Sequence, residues 1–363
     1  MFAQKSVRIS TPGRICLFGE HQDYLQLPVI AAAISRRIAI EGSRRKDRRV
    51  NIDLPDVRRR ESFDIVETIP YVGQRDYFQS VVNVLQRRGI KFSYGFDCTV
   101  TGNIPINAGT GSSSALAVGW ANFLLRMSDE PKALNAEEVA RIAFEAEVLE
   151  FSEPGGMMDQ YSASVGGLIW LESFPELAVV PMGAPLKSFV LGNSHDPKDT
   201  KLILARVKER VLNIVKRLKE RHPEFSLQSI SSDEIDRYRK ELAKEEFNLL
   251  AGTIKNRDVS FKAKEILAQI PLDHRGLGNL LNEHQAVLRD VLHISTPKID
   301  RMIEAALKAG AYGAKINGSG GGGCMLAYAP DEPERVREAV HSISEAVIVS
   351  VDEGSREEQP KGR

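Results

Sequence analysis

The stretch Asn103-Ile104-Pro105-Ile106-Asn107-Ala108-Gly109-Thr110-Gly111-Ser112-Ser113-Ser114-Ala115 combines two glycines, three consecutive hydroxyls and the start of an apolar run. Glycine lets a backbone turn tightly and approach a ligand closely, and the free N–H groups at a helix start favour an anion. Backbone N–H groups of Gly109–Ser113 could therefore cradle a phosphate chain, with the serine hydroxyls available to phosphate oxygens or Mg²⁺. The segment lacks the lysine of a Walker loop, so charge neutralisation must come from elsewhere. An ordinary Gly- and Ser-rich helix cap is the competing reading.

Two further segments have the composition of a binding site. Thr11-Pro12-Gly13-Arg14-Ile15-Cys16-Leu17-Phe18-Gly19-Glu20-His21-Gln22-Asp23-Tyr24 runs from a strand into a loop that gathers Glu20, His21 and Asp23. Short polar groups so clustered suit a ligand with several hydroxyls; a solvated turn is the alternative. Gly313-Ala314-Lys315-Ile316-Asn317-Gly318-Ser319-Gly320-Gly321-Gly322-Gly323-Cys324 sets a glycine run between two apolar strands. Either backbone passes close to a ligand there, or the run is a tight hairpin.

Positioning these segments requires sheets and helices in an α+β arrangement. Strands are expected at Val7–Ser10, Ile15–Phe18, Ile38–Glu41, Val50–Leu54, Phe63–Glu67, Gly95–Thr101, Leu168–Glu172, Ser188–Leu191, Gly313–Ile316, Cys324–Ala329 and Ala346–Val351. Apolar spacing predicts helices over Asp76–Arg88, Ser113–Met127, Ala136–Phe151, Thr200–Arg221, 232–252, 258–268, 275–291, 297–309 and Glu332–Glu345. A Gly-Gly turn is expected after the third helix. Periodicity breaks around Phe174–Pro185, which marks a domain boundary: 1–183 and 184–355, with a charged, frayed tail at 356–363.

Composition narrows the function classes. Lys plus Arg and Asp plus Glu number 49 each, so no net field draws the chain to nucleic acid or an anionic membrane. The arginine clusters at 44–49 and 58–60 fit charged hairpin edges. Cys16, Cys98 and Cys324 are dispersed among apolar residues and are expected to be buried free thiols. Met1–Ser10 has no signal core and no stretch is long enough to span a membrane, so a cytoplasmic enzyme is expected.

Together and in this order, the three segments resemble the signature of the GHMP kinases, the family of galactokinase, homoserine kinase, mevalonate kinase and phosphomevalonate kinase. The resemblance implies an N-terminal domain similar to domain 2 of ribosomal protein S5, a ferredoxin-like C-terminal domain, and ATP with Mg²⁺ in the cleft between them. Pro12-Gly13-Arg14 and Gly19-Glu20-His21-Gln22-Asp23-Tyr24 resemble the opening of galactokinases. Glu147 and Pro154-Gly155-Gly156-Met157-Met158-Asp159-Gln160 look like the galactokinase stretch in which a Glu binds Mg²⁺ and an Asp faces the sugar hydroxyl. Asn282-Glu283-His284 and Leu288-Arg289-Asp290 resemble a galactokinase helix. Leu25-Gln26-Leu27 replaces that family's Asn-Gly-Gly turn, and Leu191-Gly192-Asn193-Ser194 with Lys198-Asp199-Thr200-Lys201 and Arg206 is spaced as in mevalonate kinases and acid-sugar relatives.

The resemblance thus implies transfer of the γ-phosphoryl group of ATP to a sugar hydroxyl, the anomeric 1-OH by analogy, with a mevalonate-like acid alcohol as the alternative acceptor. Arg14 and Asp159 become the catalytic pair. Glu20, His21, Asp23, Gly321 and Gly322 hold the acceptor; Pro105, Ala108, Gly109, Thr110, Gly111, Ser112, Ser113 and Ser114 hold the phosphates; Ser113 and Glu147 hold Mg²⁺. The expected partner is a small sugar, not nucleic acid or membrane, with the chain a monomer or homodimer. A non-catalytic nucleotide or sugar sensor is the competing class, disfavoured because a sensor needs neither base nor metal ligand.

Overall fold

The computed structural model describes residues 6–73, 75–198 and 200–359. Asp199 of the mevalonate kinase-like spacing, Met1–Lys5 and the tail's last four residues lie outside them.

The architecture is α+β, in two sheets. The first contains β1 (Ser6–Phe18), β2 (Val29–Arg44), β3 (Arg49–Leu54), β4 (Arg59–Asp64), β5 (Phe96–Gly102), β6 (Leu168–Glu172), β7 (Ala178–Met182) and, from the far end of the chain, β12 (Arg356–Glu358). Its order is β12-β1-β2-β5-β3-β4, with β6 on the first half of β2 and β7 on β6; among these pairs only β3–β5 is parallel. The second sheet, β11 (Glu345–Val349), β8 (Phe189–Asn193), β10 (Cys324–Tyr328) and β9 (Gly313–Ile316), is antiparallel in that order. The chain therefore changes sheets between Met182 and Phe189.

Helices α1 (Tyr77–Arg87), α2 (Ser112–Met127), α3 (Ala136–Phe144) and α4 (Met158–Val165) belong to the first half; α5 (Thr200–Arg221), α6 (Lys244–Leu267), α7 (His274–Asp290), α8 (Pro297–Lys308) and α9 (Pro333–His341) belong to the second. Phe78, Phe96, Trp120 and Phe123 lie in one core, and Met302, Ile303, Met325 and Val340 in another. A third joins the halves, packing Leu17, Phe18 and Trp170 with Phe189, Leu281 and Tyr328. The cleft is thus held between halves that share buried apolar surface.

Several departures from the periodicity have visible causes. The two strands expected on either side of Pro12-Gly13 are one, because the chain passes that point as a register shift, not a turn. The strand at Ala178–Met182, unexpected from its pattern, carries Pro181 and pairs only with β6, an edge where a missing N–H is tolerated. Lys244–Leu267 is one helix where two were expected: a Cβ on Gly252 would come within 2.7 Å of Val291 Cγ1, so this glycine permits close helix packing and does not end α6. The tail is not frayed throughout, since Arg356–Glu358 pairs with β1 and Arg8 bonds Glu358. Only the arginines at 58–60 lie on a hairpin, β3–β4; those at 44–49 lie on the crossover from β2 to β3, which β5 separates, and both clusters form ion pairs, Arg45 with Asp47 and Asp97, Arg60 with Asp53. All three cysteines are buried free thiols. No helix among the described residues is long and apolar enough to cross a membrane.

Candidate active site

The register shift in β1 fixes the first functional side chain. A Cβ on Gly13 would lie 2.8 Å from Thr110 O, so glycine lets the 103–114 loop pack against the strand, and Arg14 N donates to Thr110 O at 3.0 Å. Arg14 then enters the cleft. Its Nε and NH2 donate to the two oxygens of Asp159 at 2.8 and 2.7 Å, and NH1 donates to Gly109 O. Burial lowers the Arg14 pKa, but Asp159 more than offsets this and holds the guanidinium above its ordinary value. The Gly-Gly turn expected before β6 is Gly166-Gly167, both at positive φ, and the unexpected helix α4 precedes it and places Asp159 in its first turn, where the dipole favours a carboxylate.

The phosphate-loop candidates divide into two groups. Gly109, Gly111, Ser112, Ser113 and Ser114 line the cleft together with Asn107. Gly109 and Gly111 have φ of 81° and 71°, left-handed values that glycine adopts without penalty. Ala115 is the first residue to donate back along α2, to Gly111 O at 2.9 Å, so the N–H groups of Ser112–Ser114 are left for a ligand. Pro105, Ala108 and Thr110 do not line the cleft but shape it: Thr110 Oγ1 donates to Pro105 O at 3.1 Å, and Ala108 O accepts from Cys324 N at 2.8 Å.

Glu147 lies in a π-helical turn, Glu145–Leu149, that continues α3, a local widening common at functional sites. Ser114 Oγ and Gln160 Nε2 each donate to its Oε2 at 2.7 Å. Burial raises its pKa, while hydrogen bonds from Ser113, Ser114 and Gln160 oppose the rise. A buried carboxylate beside hydroxyls fits a hard dication, which would favour its charged form.

The three polar residues expected to meet the acceptor all line the cleft, Glu20 and His21 buried and Asp23 half-buried. Asp23 accepts from Tyr24 N at 2.9 Å and Met158 N at 3.3 Å, and burial followed by the charge of Asp159 raises its pKa to about 6. Glu20 forms the cleft floor: its side chain is 1% exposed, Oε1 accepts from Lys315 Nζ, and Oε2 lies 3.7 Å from His284 Nδ1. His21 is a brace. Its Nε2–H donates to Ser319 O at 2.9 Å, which leaves Nδ1 to accept from Tyr24 OH at 2.7 Å, and burial lowers its pKa to about 4.

Gly321 and Gly322 do not line the cleft. A Cβ on Gly321 would meet Ile203 Cδ1 at 2.2 Å and one on Gly322 would meet Asp196 O at 2.9 Å, so the run packs against α5 and the segment before it, and Gly318 and Ser319 face the cleft. Asn317, Lys315 and Lys198 have contacts that local sequence pattern does not reveal. Asn317 ties the halves, accepting from Cys16 N at 2.9 Å and donating to Gly109 O at 2.7 Å. Lys315 bonds Glu20, and Lys198 lines the cleft. A second cavity of about 400 Å³, lined by Ile38, Leu54, Phe78, Val100, Ile104 and Ile106, adjoins the first and shares Asn107, Ser112 and Ser113 with it.

Residues 76–167 match the N-terminal domain of the GHMP kinases, residues 263–345 the C-terminal domain, and residues 1–44 the galactokinase galactose-binding signature. The chain belongs to the GHMP kinase family. It is accordingly a phosphotransferase acting on an alcohol acceptor, with ATP as the family's donor. Among its relatives, a galactokinase of Actinobacillus succinogenes is 29% identical over 361 residues, 94% of this chain and 91% of the relative. A mevalonate kinase of Pyrococcus furiosus is 28% identical over 346 residues, 91% of each. In three dimensions this GHMP fold resembles the Lactococcus lactis galactokinase complexed with galactose at a TM-score of 0.85, 23% identity, 97% of this chain and 95% of that one. Methanococcus jannaschii mevalonate kinase follows at 0.72, 18% identity, 97% and 99%.

Proposed function

We propose that this kinase transfers the γ-phosphoryl group of ATP to a sugar hydroxyl, the anomeric 1-OH. The observation that carries the reading is the Arg14–Asp159 pair, gripping Gly109 of the phosphate loop on one side and standing beside Asp23 on the other. The galactose-binding signature over residues 1–44 and the higher structural likeness to a galactokinase favour a sugar.

In this reading the N–H groups of Gly109–Ser114 hold the phosphates, and the base of ATP occupies the adjoining apolar cavity. Glu147 and the Ser113 hydroxyl would hold Mg²⁺, which would offset charge on the phosphates. Asp23 accepts acceptor hydroxyls, while Glu20 and His21 set the floor and wall. The acceptor oxygen bonds to the γ-phosphorus, the P–O bond to ADP breaks with its electron pair on ADP, and the hydroxyl proton leaves toward Asp159. Because the transition state is loose and anionic, positioning and cationic charge contribute most, and Arg14 supplies both. We place the domain boundary near residue 183, where the chain changes sheets.

A mevalonate-like acid alcohol is the second reading, favoured by the mevalonate kinase relatives and by Leu25-Gln26-Leu27 in place of the galactokinase turn. An ADP-release assay over galactose, N-acetylgalactosamine, fucose, arabinose, glucuronate, a heptose phosphate and mevalonate, with and without Mg²⁺, decides between them. Turnover of a sugar only with Mg²⁺ is expected; turnover of mevalonate alone reverses the choice.

A further inference from the structure

The Lys198 ammonium has no task in that scheme. Lys198 lines the cleft on the segment between β8 and α5, and its Nζ donates to Ser319 Oγ at 3.2 Å. A Cβ on Gly109 would come within 2.9 Å of that nitrogen, so the ammonium rests on the phosphate-loop backbone. Arg14 holds the same residue through Gly109 O. Two cations therefore flank one glycine.

Their pairing differs. Arg14 faces Asp159, Arg75 faces Glu153 and Lys315 faces Glu20, whereas among the described residues Lys198 forms no ion pair with a carboxylate within 4.0 Å. Burial, and then the charge of Arg14, lower its pKa to about 8. Asp159, whose oxygens are already given to Arg14, offsets this only in part, so an arriving anion would stabilise the half-buried ammonium. The anion that fits lies between the free N–H groups of Ser112–Ser114 and the Arg14–Asp159 pair, where the phosphate chain would end.

We infer that Lys198 is a further catalytic residue of this phosphotransferase, its ammonium contacting the γ-phosphoryl group of ATP and remaining with it as the bond to ADP breaks and the bond to the acceptor oxygen forms. Lys198 neither gives nor takes a proton in the step; it supplies charge. The inference rests on the phosphoryl-transfer reading but not on which alcohol is the acceptor.

Calorimetric binding of ATP and ADP with Mg²⁺ and no acceptor tests it independently of the substrate panel. Lys198→Gln should weaken ATP by roughly ten- to a hundredfold, the worth of one charged hydrogen bond, and leave ADP within about twofold. Lys198→Arg should keep most of the ATP affinity. Equal losses for both nucleotides, or none, overturn the inference even if a sugar is turned over. A measurement on the unaltered protein guards against misfolded variants: the preference for ATP over ADP should fall between pH 7.5 and 9.5 as Lys198 loses its proton. The groups facing it are Arg14, Asp159, His21 and Cys324; burial puts the His21 pKa near 4 and the Cys324 pKa near 12, so neither changes charge in that window. A flat ATP-to-ADP ratio across it overturns the inference as well.

Discussion

Asp159 gives both carboxylate oxygens to Arg14, at 2.8 and 2.7 Å, while its side chain remains 28% exposed to the cleft. A bidentate pair fixes the plane of the carboxylate and leaves its outer lone pairs for a hydroxyl, so the two residues act as one unit. Asp159→Asn should lower kcat by roughly a hundred- to ten-thousandfold with ATP affinity retained. Arg14→Gln should cost a similar factor, and the double variant little more than either single one, because residues that act together are not additive. Losses that multiply in the double variant would show the two acting separately.

With Asp23 holding the acceptor as proposed, acceptor binding should be sensitive to pH. Its pKa in the folded chain is about 6 against an ordinary 3.8, so the carboxyl stabilises the apo fold while protonated, and that contribution is lost as pH rises through about 6. A bound alcohol that donates to the ionised carboxylate offsets the burial that raised it. The value of kcat/KM for the acceptor should therefore climb from pH 5 to 7 with a midpoint near 6. Asp23→Asn should be uniformly poorer and lack that limb; a wild-type-like profile in the variant would remove Asp23 from acceptor binding.

Gly156 tests the same contact from the other side. A Cβ there would come within 2.0 Å of Asp23 Oδ2 and 2.2 Å of its Cγ, so Gly156→Ala must displace the carboxylate. Displacement of about an ångström at a positioning group costs up to a hundredfold, so the acceptor KM should rise by about ten- to a hundredfold while the ATP KM changes little. Parallel increases in both constants would mean that the whole cleft had shifted.

Some helix spans and the glycine-rich loop were legible in the sequence because apolar spacing and turn residues are local signals, whereas α4 was missed and α6 was read as two helices. Ser112–Met127 and Pro297–Lys308 fall within a residue of their expected bounds. Long-range pairing was not legible. Nothing near Arg356 announces that it adds a strand beside β1, and nothing local to Glu20 says that Lys315, 295 residues away, takes one of its oxygens. Gly321 and Gly322 misled for the same reason: a glycine run shows that something comes close, but not whether it is a ligand or Ile203. His21 was expected to meet hydroxyls, yet Tyr24 three residues on and Ser319 across the cleft use both ring nitrogens.

A buried ion pair, Lys315 with Glu20, lies beneath the cleft. Lys315 and Glu20 have side chains 0% and 1% exposed, and Lys315 Nζ also donates to Cys16 O at 3.1 Å and Ile316 O at 2.8 Å, so one ammonium joins β1, the Glu20 loop and β9. Removing one partner of such a pair leaves an uncompensated buried charge, which costs about 3–5 kcal/mol. Lys315→Met should therefore lower the melting temperature sharply, and adding Glu20→Gln should restore part of it by removing the stranded carboxylate. Acceptor KM discriminates between a floor that only supports the fold and one that shapes the site. In the double variant, recovered stability with acceptor KM still raised would show that the charged pair sets the cleft floor, whereas recovery of both would reduce Lys315–Glu20 to a structural tie between the two halves.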